Sequence, residues 1–286
     1  MNNEILWTAC ITPFNQDSSK IDYESLRRLL EKQAAVGNGV VMLGSTGEAL
    51  SLSDEERKEV ITFACSIDLP LKLIAGVPSH NLKAALSWLE FCNDLPLAGY
   101  MLTTPIYTKP GIIGQTEWFD ALLAKANKPC MLYNIPGRAA IKLHPETVAN
   151  LHGYKNFVAI KDSSGTIDSV FEYKSANSGV KIYCGDDYIM PAMIAVGAEG
   201  LVSVASNIWP EITRKYVKDA LEKKIISKVW WQATKSLFKA SNPIPIKALM
   251  HAAGLIQSPT VRLPLSNNDL SNLTELLDYH EVITQL

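Results

Sequence analysis

A lysine closes an apolar run in this sequence: Phe157-Val158-Ala159-Ile160-Lys161, followed by Asp162-Ser163-Ser164-Gly165. Lysine is among the residues least often buried, so its place at the end of a core-like strand asks for a reason. One reason is structural: the stem lies on apolar surface and the ammonium reaches water. The other is chemical. In a mostly apolar pocket an ammonium falls below its ordinary pKa of about 10.4, because desolvation penalises the charged form. The free amine can then attack a carbonyl and form a Schiff base. Other residues suited to such chemistry stand at comparable places. Gly44-Ser45-Thr46-Gly47-Glu48 sets two hydroxyls between two glycines, a turn able to offer N–H groups and hydroxyls to a carboxylate. Short Gly/Ser/Thr turns are also common simply as turns. It is no Walker loop, since no Gly-Lys-Ser/Thr follows. Tyr107 and Tyr133 each follow an apolar run, where a tyrosine either packs with its hydroxyl in water or moves a proton. Arg138 carries a planar fork suited to a carboxylate, or to a surface or interface ion pair.

These residues act together only if the elements before them end on one rim. Strand-like runs cover 5–11, 39–44, 71–76, 99–103, 129–134, 156–161, 180–184 and 200–204. Most are apolar throughout, as strands covered on both faces should be. Helical patterns alternate with them. Asp22 opens a helix over 23–36, with Leu26, Leu29, Leu30 and Gln33 at helical spacing and Gly37 as its stop. Ser53 and Glu56 form a capping-box pattern. Further helices are expected over 81–93, 115–126, 145–151, 168–175, 188–196 and 210–223. Eight strand–helix units predict an α/β fold, a (β/α)8 TIM barrel over 1–224, with its chemistry at the C-terminal strand ends. An open doubly wound sheet is the alternative, but the Gly-x-Gly-x-x-Gly turn that usually marks it is missing. Helices alone follow, over 225–240, 245–253 and 270–283, predicting a C-terminal helical extension over 225–286. In this frame Ser45, Thr46, Tyr107, Tyr133, Arg138 and Lys161 share the rim, a possible proton-transfer chain beside an amine. His80 is a weaker rim candidate. Asp186-Asp187 read as acids at a helix N-terminus. Asp162 is expected to point away from Lys161, because a close carboxylate would oppose a neutral amine.

Composition narrows the function classes. Lys and Arg number 27 against 29 Asp and Glu, a net charge of −2, and no long basic run occurs, so nucleic acid is not an expected partner. No apolar run reaches membrane-spanning length, and Met1-Asn2-Asn3-Glu4 has no positive leader region, so a cytoplasmic location is expected. Five dispersed cysteines read as reduced core thiols. The histidines form no ligand pair, and neither a metal site nor a cofactor is expected.

The motifs Gly44-Ser45-Thr46-Gly47-Glu48, Tyr133 to Arg138, Ile160 to Gly165 and Gly185-Asp186-Asp187 resemble those of the Schiff-base pyruvate lyases and synthases typified by dihydrodipicolinate synthase. The likeness continues through Asn242-Pro243-Ile244-Pro245-Ile246-Lys247 and Arg262-Leu263-Pro264-Leu265. It implies a (β/α)8 barrel with a C-terminal helical domain, assembled as a homotetramer of paired dimers or as a dimer. It implies condensation of pyruvate with L-aspartate 4-semialdehyde on the route to diaminopimelate and lysine. By the same likeness Lys161 is the Schiff-base lysine, Tyr133 the proton donor and acceptor, Ser45 the relaying hydroxyl and Tyr107 a tyrosine lent across the dimer interface. The likeness also implies that Thr46 clamps the pyruvate carboxylate, that Val202 lies beside pyruvate and that Arg138 holds the carboxylate of the semialdehyde.

Two positions depart from the pattern. Ile106 stands where many members carry an aromatic residue, which leaves the tight-dimer contact and inhibition by L-lysine open. Ser45 replaces the usual threonine and matches sialic acid lyases of the same superfamily, so cleavage of N-acetylneuraminate or of a 2-keto-3-deoxy sugar acid stands as the second reading. Arg138 and the Pro243–Lys247 run favour the synthase. A barrel that binds a keto acid without catalysis is the third reading, and it predicts that a rim residue is missing.

Overall fold

The computed structural model describes residues 4–78, 80–224 and 227–285. Strands β1 (Leu6–Ala9), β2 (Gly39–Met42), β3 (Leu73–Val77), β4 (Gly99–Thr103), β5 (Cys130–Asn134), β6 (Phe157–Asp162), β7 (Lys181–Cys184) and β8 (Gly200–Ser203) form a closed parallel barrel in chain order. Strand β1 pairs with both β2 and β8, which closes the ring. The strands are apolar because each is covered twice. Alternate residues such as Trp7, Val41, Met131, Ala159 and Val202 fill the barrel interior, while Leu6, Val40, Leu132 and Ile160 face the surrounding helices. The fold is the (β/α)8 barrel with C-terminal helices that the pattern predicts.

The helices follow their caps. Helix α1 (Tyr23–Val36) starts where the Asp22 side chain accepts from the Ser25 N–H, and stops at Gly37 in the left-handed region, φ 76°. Helix α2 (Asp54–Ser66) has the full Ser53/Glu56 capping box. Helices α3 (Leu82–Asn93) and α4 (Ile112–Lys125) follow, the latter opening on Gly111, three residues ahead of the expected 115–126. A four-residue helix α5 (Pro136–Ala139), too short to show a period, precedes α6 (Pro145–Asn150). Helices α7 (Asp168–Ala176), α8 (Met190–Ala195) and α9 (Pro210–Leu221) complete the outer ring. Helix α8 begins at Met190 rather than 188, with Pro191 in its first turn.

The tail supplies α10 (Lys228–Ser236), α11 (Ile244–Ala252) and α12 (Thr274–Thr284). Helix α10 is shorter than the expected 225–240. Its expected start and the boundary at 224/225 involve Ile225 and Ile226, which lie outside the described residues, as do Met1–Asn3. Its end comes at Ser236, so 238–242 cross the mouth of the barrel as irregular chain. That segment leads to Pro243, and the residue before a proline is biased away from helical angles.

Candidate active site

Period-two alternation decides which residues of β6 reach the interior. Ala159 points into the barrel, so Lys161 does too, and Ile160 and Asp162 point outward. Lys161 is only 6% exposed. The register sets it between Tyr133 on β5 and Tyr183 on β7. Its Nζ lies 4.1 Å from the Tyr133 ring centroid. It makes no salt bridge among the described residues. Gly185 makes the room: a Cβ there would collide with Ser163 Oγ and stand 3.0 Å from Lys161 Cε. Asp162 points away as expected and accepts from Asn134 Nδ2 at 2.6 Å, from Ser164 Oγ at 2.8 Å and from Ser169 Oγ. Burial raises its pKa against the pull of those donors.

The mouth above Lys161 is a cavity of about 520 Å³. Ser45, Thr46, Tyr133, Arg138 and Lys161 all line it. Ser45 and Thr46 sit in a turn bracketed by two non-glycine residues in the left-handed region, Leu43 (φ 57°) and Glu48 (φ 51°). Such conformers cost of order 1 kcal/mol or more each and persist where surroundings over-determine them. Here the tail does so. Glu48 accepts from Lys247 Nζ at 2.5 Å and from the Arg262 N–H at 2.8 Å. Arg262 in turn forms a two-pronged bond to Glu56 of α2. Asn242 ties the two sides of the cavity: its Nδ2 donates to Thr46 Oγ1 at 2.9 Å, and its carbonyl accepts from Arg138 Nη2 at 2.8 Å. Ser163 Oγ stands 3.5 Å from Tyr133 Oη.

Electrostatics separate three neighbouring carboxyls. Asp187 is fully buried and accepts from Ser203 Oγ and from the Val204 and Ala205 N–H groups, pinning the end of β8. Asp186 is half-buried and lines the cavity. Burial pushes its pKa up to about 6, with the Lys161 charge opposing and Asp162 and Asp187 reinforcing. The reading of Asp186-Asp187 as helix N-terminal acids is therefore corrected, since α8 opens later and both side chains turn to the strand ends. His80 is exposed and belongs to a different depression, away from this cavity.

A family model, the Dihydrodipicolinate synthetase family, matches residues 3–282. The chain belongs to this family. A 4-hydroxy-tetrahydrodipicolinate synthase of Wolbachia pipientis subsp. Culex pipiens is 53% identical over 284 residues, 99% of this chain and 97% of the relative. One from Chlamydia pneumoniae is 45% identical, over 96% of this chain and 94% of its own length. Among solved structures, the 4-hydroxy-tetrahydrodipicolinate synthase of Methylacidiphilum fumariolicum SolV superposes with a TM-score of 0.92 at 30% identity, covering 99% of this chain and 96% of that one.

Two residues singled out from the family likeness lie off the cavity wall. Val202 is fully buried in the barrel interior, and Val204, next in the inward-facing series, reaches the wall. Tyr107 is 90% exposed at φ 68°, outside the cavity of its own chain. Its neighbour Ile106 lines a second cavity of about 380 Å³ that shares Ser45 and Arg138 with the first. Sequence reasoning missed Ser163 and Asn242 as wall residues. The inward parity of 159, 161 and 163 was the available signal for Ser163. For Asn242 the signal was its place in the Asn242–Lys247 run of the family likeness, while its contact with Thr46, 196 positions away, was not readable.

Proposed function

We propose that this chain is a 4-hydroxy-tetrahydrodipicolinate synthase, joining pyruvate to L-aspartate 4-semialdehyde through a Schiff base on Lys161. The observation that carries the reading is a buried lysine amine, 4.1 Å from the Tyr133 ring centroid and without a salt bridge among the described residues, in a cavity that also presents Thr46 and Arg138. Nζ adds to the pyruvate carbonyl carbon and water leaves, giving an imine. Loss of a methyl proton turns the imine into an enamine. The enamine carbon forms the new C–C bond to the aldehyde carbon, whose oxygen takes a proton. The substrate's own amine then adds to the imine carbon, closes the ring and releases Lys161. Tyr133 moves the protons, with Ser45 and the partner subunit's Tyr107 as its relay, and acid–base help of this kind is worth about 10² to 10⁴ in rate. Thr46 receives the pyruvate carboxylate and Arg138 that of the semialdehyde. Val202 shapes the floor beneath Val204.

Apolar surface supports an assembly. Leu50, which lines the second cavity, is 65% exposed, and Leu263, next in the chain to its lining residue Pro264, is 83% exposed. A second patch, Ile167 and Phe171, lies at α7. We read these as the two interfaces of a dimer of dimers, checked by light scattering, where the mass of a single chain would refute it. Among the described residues no helix is long and apolar enough to cross a membrane. With five free cysteines this supports a cytoplasmic setting.

The test is turnover of the purified chain with pyruvate and L-aspartate 4-semialdehyde beside an N-acetylneuraminate cleavage assay. Condensation without cleavage is expected. Cleavage without condensation would move the chain to the sugar-acid lyases.

A further inference from the structure

An acceptor at the mouth of the barrel has no partner among the described residues. Among the described residues Asn242 Oδ1 is buried without a hydrogen bond, although its side-chain Nδ2 donates to Thr46 and its backbone carbonyl accepts from Arg138. Asn242 is 8% exposed and lines the cavity above Lys161. A buried acceptor left unmade is costly, and an unpaired one in a cavity wall points to a donor that arrives with a ligand.

The wall also carries a carboxylate. Asp186 is the one carboxylate lining the cavity among the described residues, against the cations Lys161, Arg138 and Lys239. Lys239 is engaged by Glu275, and Asp186 forms no salt bridge among the described residues, with the Lys161 charge nearby. With a pKa of about 6 it is mostly ionised at neutral pH.

We propose that Asn242 Oδ1 and the Asp186 carboxylate form the subsite that recognises the α-ammonium of the second substrate, so that the site selects an amino aldehyde. This rests on the reading in the preceding subsection. The ammonium and carboxylate of an α-amino acid share one carbon, so the groups that receive them must be neighbours. Arg138 receives the carboxylate, and Asn242 is the residue its guanidinium already touches. Asp186 follows β7, the strand beside Lys161, and supplies the countercharge on the side where the amine must arrive to displace Nζ. Both are specificity residues; the covalent steps remain those of Lys161.

The test compares L-aspartate 4-semialdehyde with its des-amino analogue, succinic semialdehyde, used as a competitor. The readout is the ratio of the KM for the first to the inhibition constant of the second, so that damage common to both cancels. Asp186→Asn keeps the shape and removes the charge. Asn242→Ser shortens the acceptor, and the ratio cancels any loss through Thr46. Each is expected to raise the ratio about 10- to 100-fold, the range for a hydrogen bond to a charged group. A ratio unmoved in both variants overturns the subsite, whether or not the separate constants change. An unmodified enzyme that fails to condense pyruvate with L-aspartate 4-semialdehyde overturns instead the reading beneath it, and the subsite with it.

Discussion

Replacing Lys247 with methionine should destabilise the protein by about 3 to 5 kcal/mol, the cost of breaking a buried ion pair on one side. The pair is buried without qualification: the Lys247 and Glu48 side chains are 0% and 1% exposed. Nζ lies 2.5 Å from Glu48 Oε1, 3.0 Å from the Thr260 carbonyl and 4.1 Å from the Phe14 ring centroid. Burial pulls the lysine pKa down to about 8 while Glu48 draws it up, so desolvation and pairing are in direct opposition. Methionine fills much of the same volume, so packing against Phe14 changes little, by less than about 1.5 kcal/mol. The main loss is Glu48 left with the Arg262 N–H and no ammonium. At the 2 °C or so per kcal/mol expected for a chain of this size, Tm should fall by about 6 to 10 °C. Adding Glu48→Gln removes the stranded charge and should recover about half of the loss, since paired sites couple by about 0.5 to 3 kcal/mol. Denaturant melts of the four proteins give the cycle. A single-variant loss below about 1 kcal/mol, or a double variant that loses the sum, would refute the assignment of the pair as a buried clasp on the Ser45–Thr46 turn.

Other perturbations separate the roles around the cavity. Arg138→Ala should raise the KM for the semialdehyde about 10- to 100-fold, the value of a charged hydrogen-bonded contact, and leave borohydride trapping of pyruvate intact; parallel loss of both would make Arg138 structural. Lys161→Ala and Tyr107→Phe proteins, each nearly inactive alone, should regain activity when co-refolded, because a mixed dimer contains one site with its own lysine and a partner's tyrosine; no recovery in verified mixed dimers would refute tyrosine exchange. Asp186→Asn should stabilise the protein above pH 7 by about 1 to 2 kcal/mol, a two-unit shift discounted for partial exposure. The sign follows from the raised pKa. From about pH 4 to 6 the folded state binds more protons than the unfolded one, so stability falls with rising pH, and Asn removes that fall. The gain should fade as pH drops through 6 towards 4, and a gain independent of pH, read from melts across that range, would contradict the cause.

Much of the frame was legible because burial on both faces leaves strands with few polar residues. The run before Lys161 is readable for that reason, and the lysine at its end is conspicuous against it. The caps at Asp22, Gly37 and Ser53 are local chemistry, visible within four residues and present as read. Helix α5 was not legible, since four residues hold one turn and no period. Gly114 disguised the first turn of α4, because glycine weakens a helix interior. The site itself divides the same way. Lys161 and Tyr133 follow from strand ends and inward parity. Asn242 and Lys247 act on residues almost two hundred positions away, which only the packing of the tail reveals. Asp186-Asp187 misled because acids near a helix start usually serve that helix, whereas the buried Asp187 is satisfied by Ser203, Val204 and Ala205.

The most direct measurement is borohydride reduction in the presence of pyruvate, followed by mass mapping of the peptides. The account predicts one reduced pyruvyl adduct, on Lys161, and none in Lys161→Ala protein of unchanged fold. Absence of an adduct in folded protein, or an adduct on another lysine such as Lys239 or Lys247, would contradict it.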